Sequence, residues 1–68
     1  MLQRYEIELW SQWDGRVVES ASFLATRVEA EARLADLWNG SRAPVAESGR
    51  HRAMLFEAGQ RRAISVIG

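Results

Sequence analysis

Thr26-Arg27-Val28-Glu29 is the stretch that decides the fold. A threonine followed three residues later by a glutamate makes a capping box: the Thr26 hydroxyl accepts from the Glu29 amide, and the Glu29 carboxylate accepts from the Thr26 amide. Donors that a helix start leaves without intrahelical partners are satisfied in this way, so a helix begins near Arg27. From there Ala30, Leu34 and Leu37 recur at the i, i+4, i+7 spacing of a buried stripe, with Glu29, Arg33 and Asp36 on the opposite side. Asn39-Gly40 supplies a left-handed C-terminal stop. A start at Ser20 or Ser22 is the alternative, and it draws Phe23 and Leu24 into a longer helix.

The chain before the capping box is extended. Tyr5, Ile7 and Leu9 alternate with Arg4, Glu6 and Glu8, the period of a half-buried strand. Asp14-Gly15 then separates this run from Arg16-Val17-Val18, and Asp-Gly between extended segments is a hairpin signal because glycine accepts positive φ. A two-residue turn would set Phe23 opposite Glu6. A three-residue turn, Trp13-Asp14-Gly15, sets Phe23 opposite Tyr5 and Ala21 opposite Ile7, which makes one consistent apolar face and is preferred.

Residues 41–50, Ser-Arg-Ala-Pro-Val-Ala-Glu-Ser-Gly-Arg, have no periodicity and read as a long surface loop, long enough to be functional. His51 to Glu57 and Arg61 to Ile67 then form a second hairpin about Ala58-Gly59-Gln60. A two-residue Gly59-Gln60 turn sets Glu57 opposite Arg62, Leu55 opposite Ile64 and Ala53 opposite Val66, charge against charge and apolar against apolar. Met54, Phe56 and Ile67 then fall on the other face, so this hairpin is apolar on both sides. The fold class is α+β: an antiparallel four-stranded sheet of two hairpins with one helix packed on one face, in the order β-β-α-β-β. Its expected core is Tyr5, Ile7, Leu9, Ala21, Phe23, Ala30, Leu34, Leu37, Leu55, Ile64 and Val66, with Trp38 in the core or against the helix end. Strand order is left open.

Length and composition bound the function. Sixty-eight residues, 47% hydrophobic, make one domain, residues 1–68, with a single core and no interdomain cleft. Cores of this size supply only about 3–5 kcal/mol, so such chains lean on disulfides, metals or self-association. There is no cysteine, which removes disulfides and thiolate metal sites. No h-region or long apolar run is present, and the expectation is a soluble cytoplasmic protein without membrane contact. Net charge is zero but unevenly spread: residues 1–36 hold four Arg against seven Asp or Glu, and residues 37–68 hold five Arg against two Glu. All nine cations are Arg, a bias that a GC-rich coding sequence explains more readily than selection for forked, stacked contacts.

Catalysis has little to work with. There is one His, one Tyr, two Asp and no nucleophile-elbow or zinc-helix motif. Glu6 and Glu8 share a strand face at roughly 7 Å, a spacing an inverting acid/base pair can use, but two solvated carboxylates on an amphipathic strand account for them. His51 sits between Arg50 and Arg52, two cations that repel a metal. No catalytic residue, metal site or cofactor is assigned.

Two binding readings remain. Arg42, Arg50, Arg52, Arg61 and Arg62, with exposed aromatics, would give a nucleic-acid contact of secondary weight. Three Trp in so small a chain point instead to protein binding. By alternation Trp10 points away from Tyr5, Ile7 and Leu9, onto the face of Arg4, Glu6, Glu8 and Val18. With Met54 and Phe56 there, and Trp13 close by, the result is an apolar patch rimmed by charge. Whether that patch closes a homodimer or meets a different protein is left open.

The plan Tyr5-Glu-Ile-Glu-Leu-Trp10, Asp14-Gly15, Thr26-x-x-Glu-Ala30-x-Ala32 and a closing hairpin resembles the small β-β-α-β-β proteins of phages and mobile elements, some anti-CRISPR proteins among them. The resemblance covers nearly the whole chain as an arrangement of elements and contains no diagnostic motif. It implies a stoichiometric inhibitor acting in the host cytoplasm, one that occupies a surface of a host protein or nucleoprotein complex. Such inhibitors are frequently acidic mimics of nucleic acid, and this neutral chain departs from that pattern. Contact through shape and Trp/Arg anchors is what remains for it.

Overall fold

The computed structural model describes residues 1–11, 15–46 and 51–68, the side chains of 41–46 excepted. Four strands and one helix follow in the order β1 (Gln3–Ser11), β2 (Arg16–Ala25), α1 (Arg27–Ala46), β3 (His51–Glu57) and β4 (Ser65–Ile67). They form one antiparallel sheet, β2-β1-β3-β4, with α1 on one face. Because β1 lies between β2 and β3, α1 is the connection that carries the chain across it.

The capping box forms as its residue types require. Thr26 N donates to Glu29 Oε1 at 2.9 Å and Glu29 N donates to Thr26 Oγ1 at 3.2 Å, so α1 starts at Arg27 and the longer helix from Ser20 or Ser22 is excluded. The helix end differs from expectation. α1 runs on through Asn39 and Gly40 to Ala46, so most of the expected loop is helical, and residues 47–50 lie outside the described residues. Gly40 has no positive φ and does not act as a left-handed stop; a glycine lowers helix propensity without forbidding the helix.

The first hairpin has the preferred pairing over most of its length, with Phe23 opposite Tyr5 and Ala21 opposite Ile7. A bulge between Leu9 and Trp10 then shifts the register, so that Val17, not Val18, lies opposite Trp10. Gly15, at φ 68°, donates its amide to the Ser11 carbonyl at 2.8 Å; Trp13 and Asp14 lie outside the described residues.

The second hairpin is slipped by one residue from its expected register. Ala53 pairs with Ile67, Met54 with Val66 and Leu55 with Ser65, and residues 61–64 stand outside the ladder. The cause is the turn. Gly59 takes φ 83° at the third position of a turn closed by Gln60 N donating to Glu57 O at 3.0 Å, so Ala58-Gly59 is its centre rather than Gly59-Gln60. A slip of one residue exchanges the faces of a strand: Ile67 turns to the helix side, and Val66, expected in the core, is half exposed. Glu57 is therefore not opposite Arg62; it accepts from Gln3 Nε2 at 2.7 Å.

The core fills the space between sheet and helix with Tyr5, Ile7, Leu9, Ala25, Ala30, Leu34, Ala53 and Leu55. Phe23, Leu37, Trp38, Ile64 and Ile67 pack around its edge. Leu9, Leu34 and Leu55 are the largest side chains fully enclosed, and each contributes about 1.5–3 kcal/mol by leaving water. Ala21 is exposed, because α1 crosses β1 and β3 and scarcely covers β2. Ser65 Oγ donates to Glu31 Oε2 at 2.7 Å and so ties β4 to the helix.

Candidate functional site

The face of the sheet away from α1 is built by the even-numbered residues of β1 and β3. Strand alternation puts Arg4, Glu6, Glu8 and Trp10 there, since Tyr5, Ile7 and Leu9 are committed to the core. The β1–β3 register places Phe56 beside Glu6, Met54 beside Glu8 and Arg52 beside Trp10. Glu6, Glu8, Trp10, Met54 and Phe56, all half-buried, line one groove of about 470 Å³, closed on its outer side by Gln60, Arg61 and Ala63.

Trp10 is held in place. Its Nε1 donates to Glu8 Oε1 at 2.9 Å, two residues back on the same face. The indole therefore reaches along the strand toward the middle of the groove, with Met54 and Phe56 across from it, a mixture of polarizable and aromatic surface suited to adaptable contact. Charge surrounds this apolar centre unevenly: Glu6 and Glu8 stand on the β1 side and Arg61 on the loop side, with Arg52 exposed at the Trp10 end.

The structure thus gathers five of the seven residues expected at a partner site: Glu6, Glu8, Trp10, Met54 and Phe56. Arg4 lies on the same face but beside Leu24 and outside the groove, while Trp13 lies outside the described residues. The five arginines of the C-terminal half do not share one described surface. Arg61 lines the groove, Arg52 flanks it and Arg62 is exposed in the segment before β4. The Arg42 side chain and Arg50 lie outside the described residues. Gln60 and Ala63 were missed, because they reach the groove only through the irregular segment that the slipped register creates.

A second, smaller groove of about 300 Å³ lies on the β2 side of the same two carboxylates, lined by Glu6, Glu8, Ser20 and Ser22 together with Ile7 and Ala21. Ser20-Ala21-Ser22 is the cause: three small side chains in a row leave the middle of β2 low. Glu29 and Glu31, both held below the usual carboxylate range, lie elsewhere. Glu29 is lowered by the Thr26 amide and hydroxyl, and Glu31 by the Ser65 hydroxyl and then Arg27. Both belong to the capping and docking of α1, not to the groove.

No family model, no curated protein and no solved structure matches the chain. Among the described residues no group of three His, Asp or Glu side chains is placed to hold a metal ion, and no helix is long and apolar enough to cross a membrane.

Proposed function

We propose that this chain is a binding protein without turnover that docks a partner protein on the open face of its sheet. The observation that carries this reading is the groove itself: Trp10, Met54 and Phe56 converge on a surface that α1 leaves uncovered, with carboxylates on one side and arginine on the other. An apolar centre with a charged rim is the anatomy of a protein interface, and a buried Trp anchor is its commonest energetic centre. In its sharper form the chain is a phage-type stoichiometric inhibitor of the anti-CRISPR kind, which occupies a host protein or nucleoprotein complex in the host cytoplasm. That form rests on the resemblance in arrangement alone.

One observation favours nucleic acid as a second reading. Arg61 lies in the groove with Phe56, and Arg52 lies beside Trp10, so aromatic and basic groups alternate. Glu6 and Glu8 line the same groove, however, and two carboxylates there repel the phosphates such a ligand brings. Protein is therefore the preferred partner.

Affinity capture from host lysate, with and without nuclease, tests the choice. A complex retained through nuclease and lost with Trp10→Ala supports protein docking. Recovery that vanishes with nuclease, falls steeply with salt and responds to Arg52→Glu with Arg61→Glu rather than to Trp10→Ala overturns it.

A further inference from the structure

The two edges of the sheet are unlike. β4 is three residues long, whereas β2 presents ten residues at the opposite edge. Only Phe23 and Ala25 of those ten are shielded from solvent. A long edge strand is a template for another strand, and proteins that keep such an edge free guard it with charged side chains, proline or a bulge; the two charges of β2, Arg16 and Glu19, both lie in its first four residues. β2 contains no lysine and no proline, and its bulge lies at the Val17–Val18 end. Glu19 to Ala25 is left as a regular, small-residue edge with Ser20-Ala21-Ser22 at its middle.

We infer that β2 pairs antiparallel with β2 of a second copy of this chain, joining two sheets into one of eight strands. The register follows from symmetry and charge. A two-fold axis between antiparallel strands stands perpendicular to the sheet, so it keeps both helices on one side and pairs residues of like face. With the axis at Ala21, Ser20 meets Ser22, Glu19 meets Phe23, and Val18 and Leu24, both exposed, meet each other. Arg33 lies over the Phe23 ring at 4.6 Å on the helix side, the side to which the Leu9 pairing assigns Glu19. Each Glu19 thus arrives at the arginine-capped ring of the other copy, acid against base, twice. Moving the axis by one residue sets Glu19 against Ala21 or Ala25 and loses that match. Backbone hydrogen bonds supply the attraction and this pairing the specificity.

The groove with Trp10 takes no part in this contact. A dimer built on β2 carries two such grooves on one face of the joined sheet, so a partner with two copies of its own site would be held bivalently.

Sedimentation of the intact protein over micromolar to millimolar concentration provides the test, with circular dichroism as the fold control. Wild type and Trp10→Ala are expected to dimerise. Ala21→Lys and Ala21→Glu each set like charges face to face across the axis and are expected to be monomeric; an equimolar mixture of the two is expected to recover the dimer. That recovery needs both variants folded, so it separates repulsion from misfolding. A monomeric wild type overturns the inference, as does an Ala21→Lys protein that dimerises like wild type, or a mixture that stays monomeric. Loss of the dimer in Trp10→Ala but not in Ala21→Lys places the contact on the open face instead.

Discussion

Trp10 Nε1 donates to Glu8 Oε1 at 2.9 Å, so the largest side chain of the open face is anchored by its neighbour on the same strand. An anchor already in position loses little rotamer freedom when a partner arrives. Replacing Trp10 with Ala removes the anchor and is expected to weaken partner binding by about 2 kcal/mol or more, roughly thirtyfold. Trp10→Phe keeps a ring without the donor and should fall between the two. Titration calorimetry against the captured partner checks the order.

Leu34 is 1% exposed and packs in the middle of α1 against the sheet. Leu34→Ala should cost about 2–5 kcal/mol through lost transfer energy and the cavity left behind. For a domain of this size that is most of its stability, so the variant is expected to lose its cooperative thermal transition.

Gly40 lies within the helix, and a methyl group built there meets nothing within 4 Å. Gly40→Ala should therefore stabilise the protein by about 0.5–1 kcal/mol, through helix propensity and a less flexible unfolded chain. A melting temperature raised by roughly 2–8 °C meets the expectation; no change or a fall contradicts helix at that position.

Thr26→Ala removes the hydroxyl that accepts from the Glu29 amide and is expected to cost about 1 kcal/mol in denaturant titration. The acid limb offers a companion measurement on Glu31, which accepts from Ser65 and Arg27. Its pKa is lower in the folded state than the ordinary 4.5. The folded state thus gains stability from it above that value, and loses the gain as pH falls through the folded pKa. Glu31→Gln should melt below wild type at neutral pH, and the gap should close in strong acid.

What could be read in the sequence was what local rules determine. The capping box, the Tyr5-Ile7-Leu9 alternation and the Phe23–Tyr5 register each rest on neighbouring residues or on one hairpin, and each holds. The Glu6, Glu8, Trp10, Met54 and Phe56 group was legible for the same reason, as the even positions of two strands whose odd positions are core. The misses are places where tertiary context outweighs a local signal. Asn39-Gly40 resembles a stop yet the helix continues, and the Gly59 turn centres one residue earlier than its flanking charges suggest. Ala53 is core because strand order puts β3 beneath the helix, and Ala25 because it adjoins the start of α1, whereas Ala21, farther along the same edge strand, is exposed because the helix lies over β1 and β3.

The central position of β1 also shapes how the chain finds its fold. Its hairpin with β2 closes a short loop, but its pairing with β3 joins Tyr5 to Glu57 and Ser11 to His51, segments that the whole helix separates. Local pieces form quickly and long-range pairing is slow, because loop entropy is lost before any contact compensates. The hairpin and the helix nucleus are therefore expected to precede the β1–β3 seam, which sets the folding rate. Until that seam closes, the Tyr5-Ile7-Leu9 stripe stays open to water, and the newly made chain depends on how soon residues 51–57 arrive.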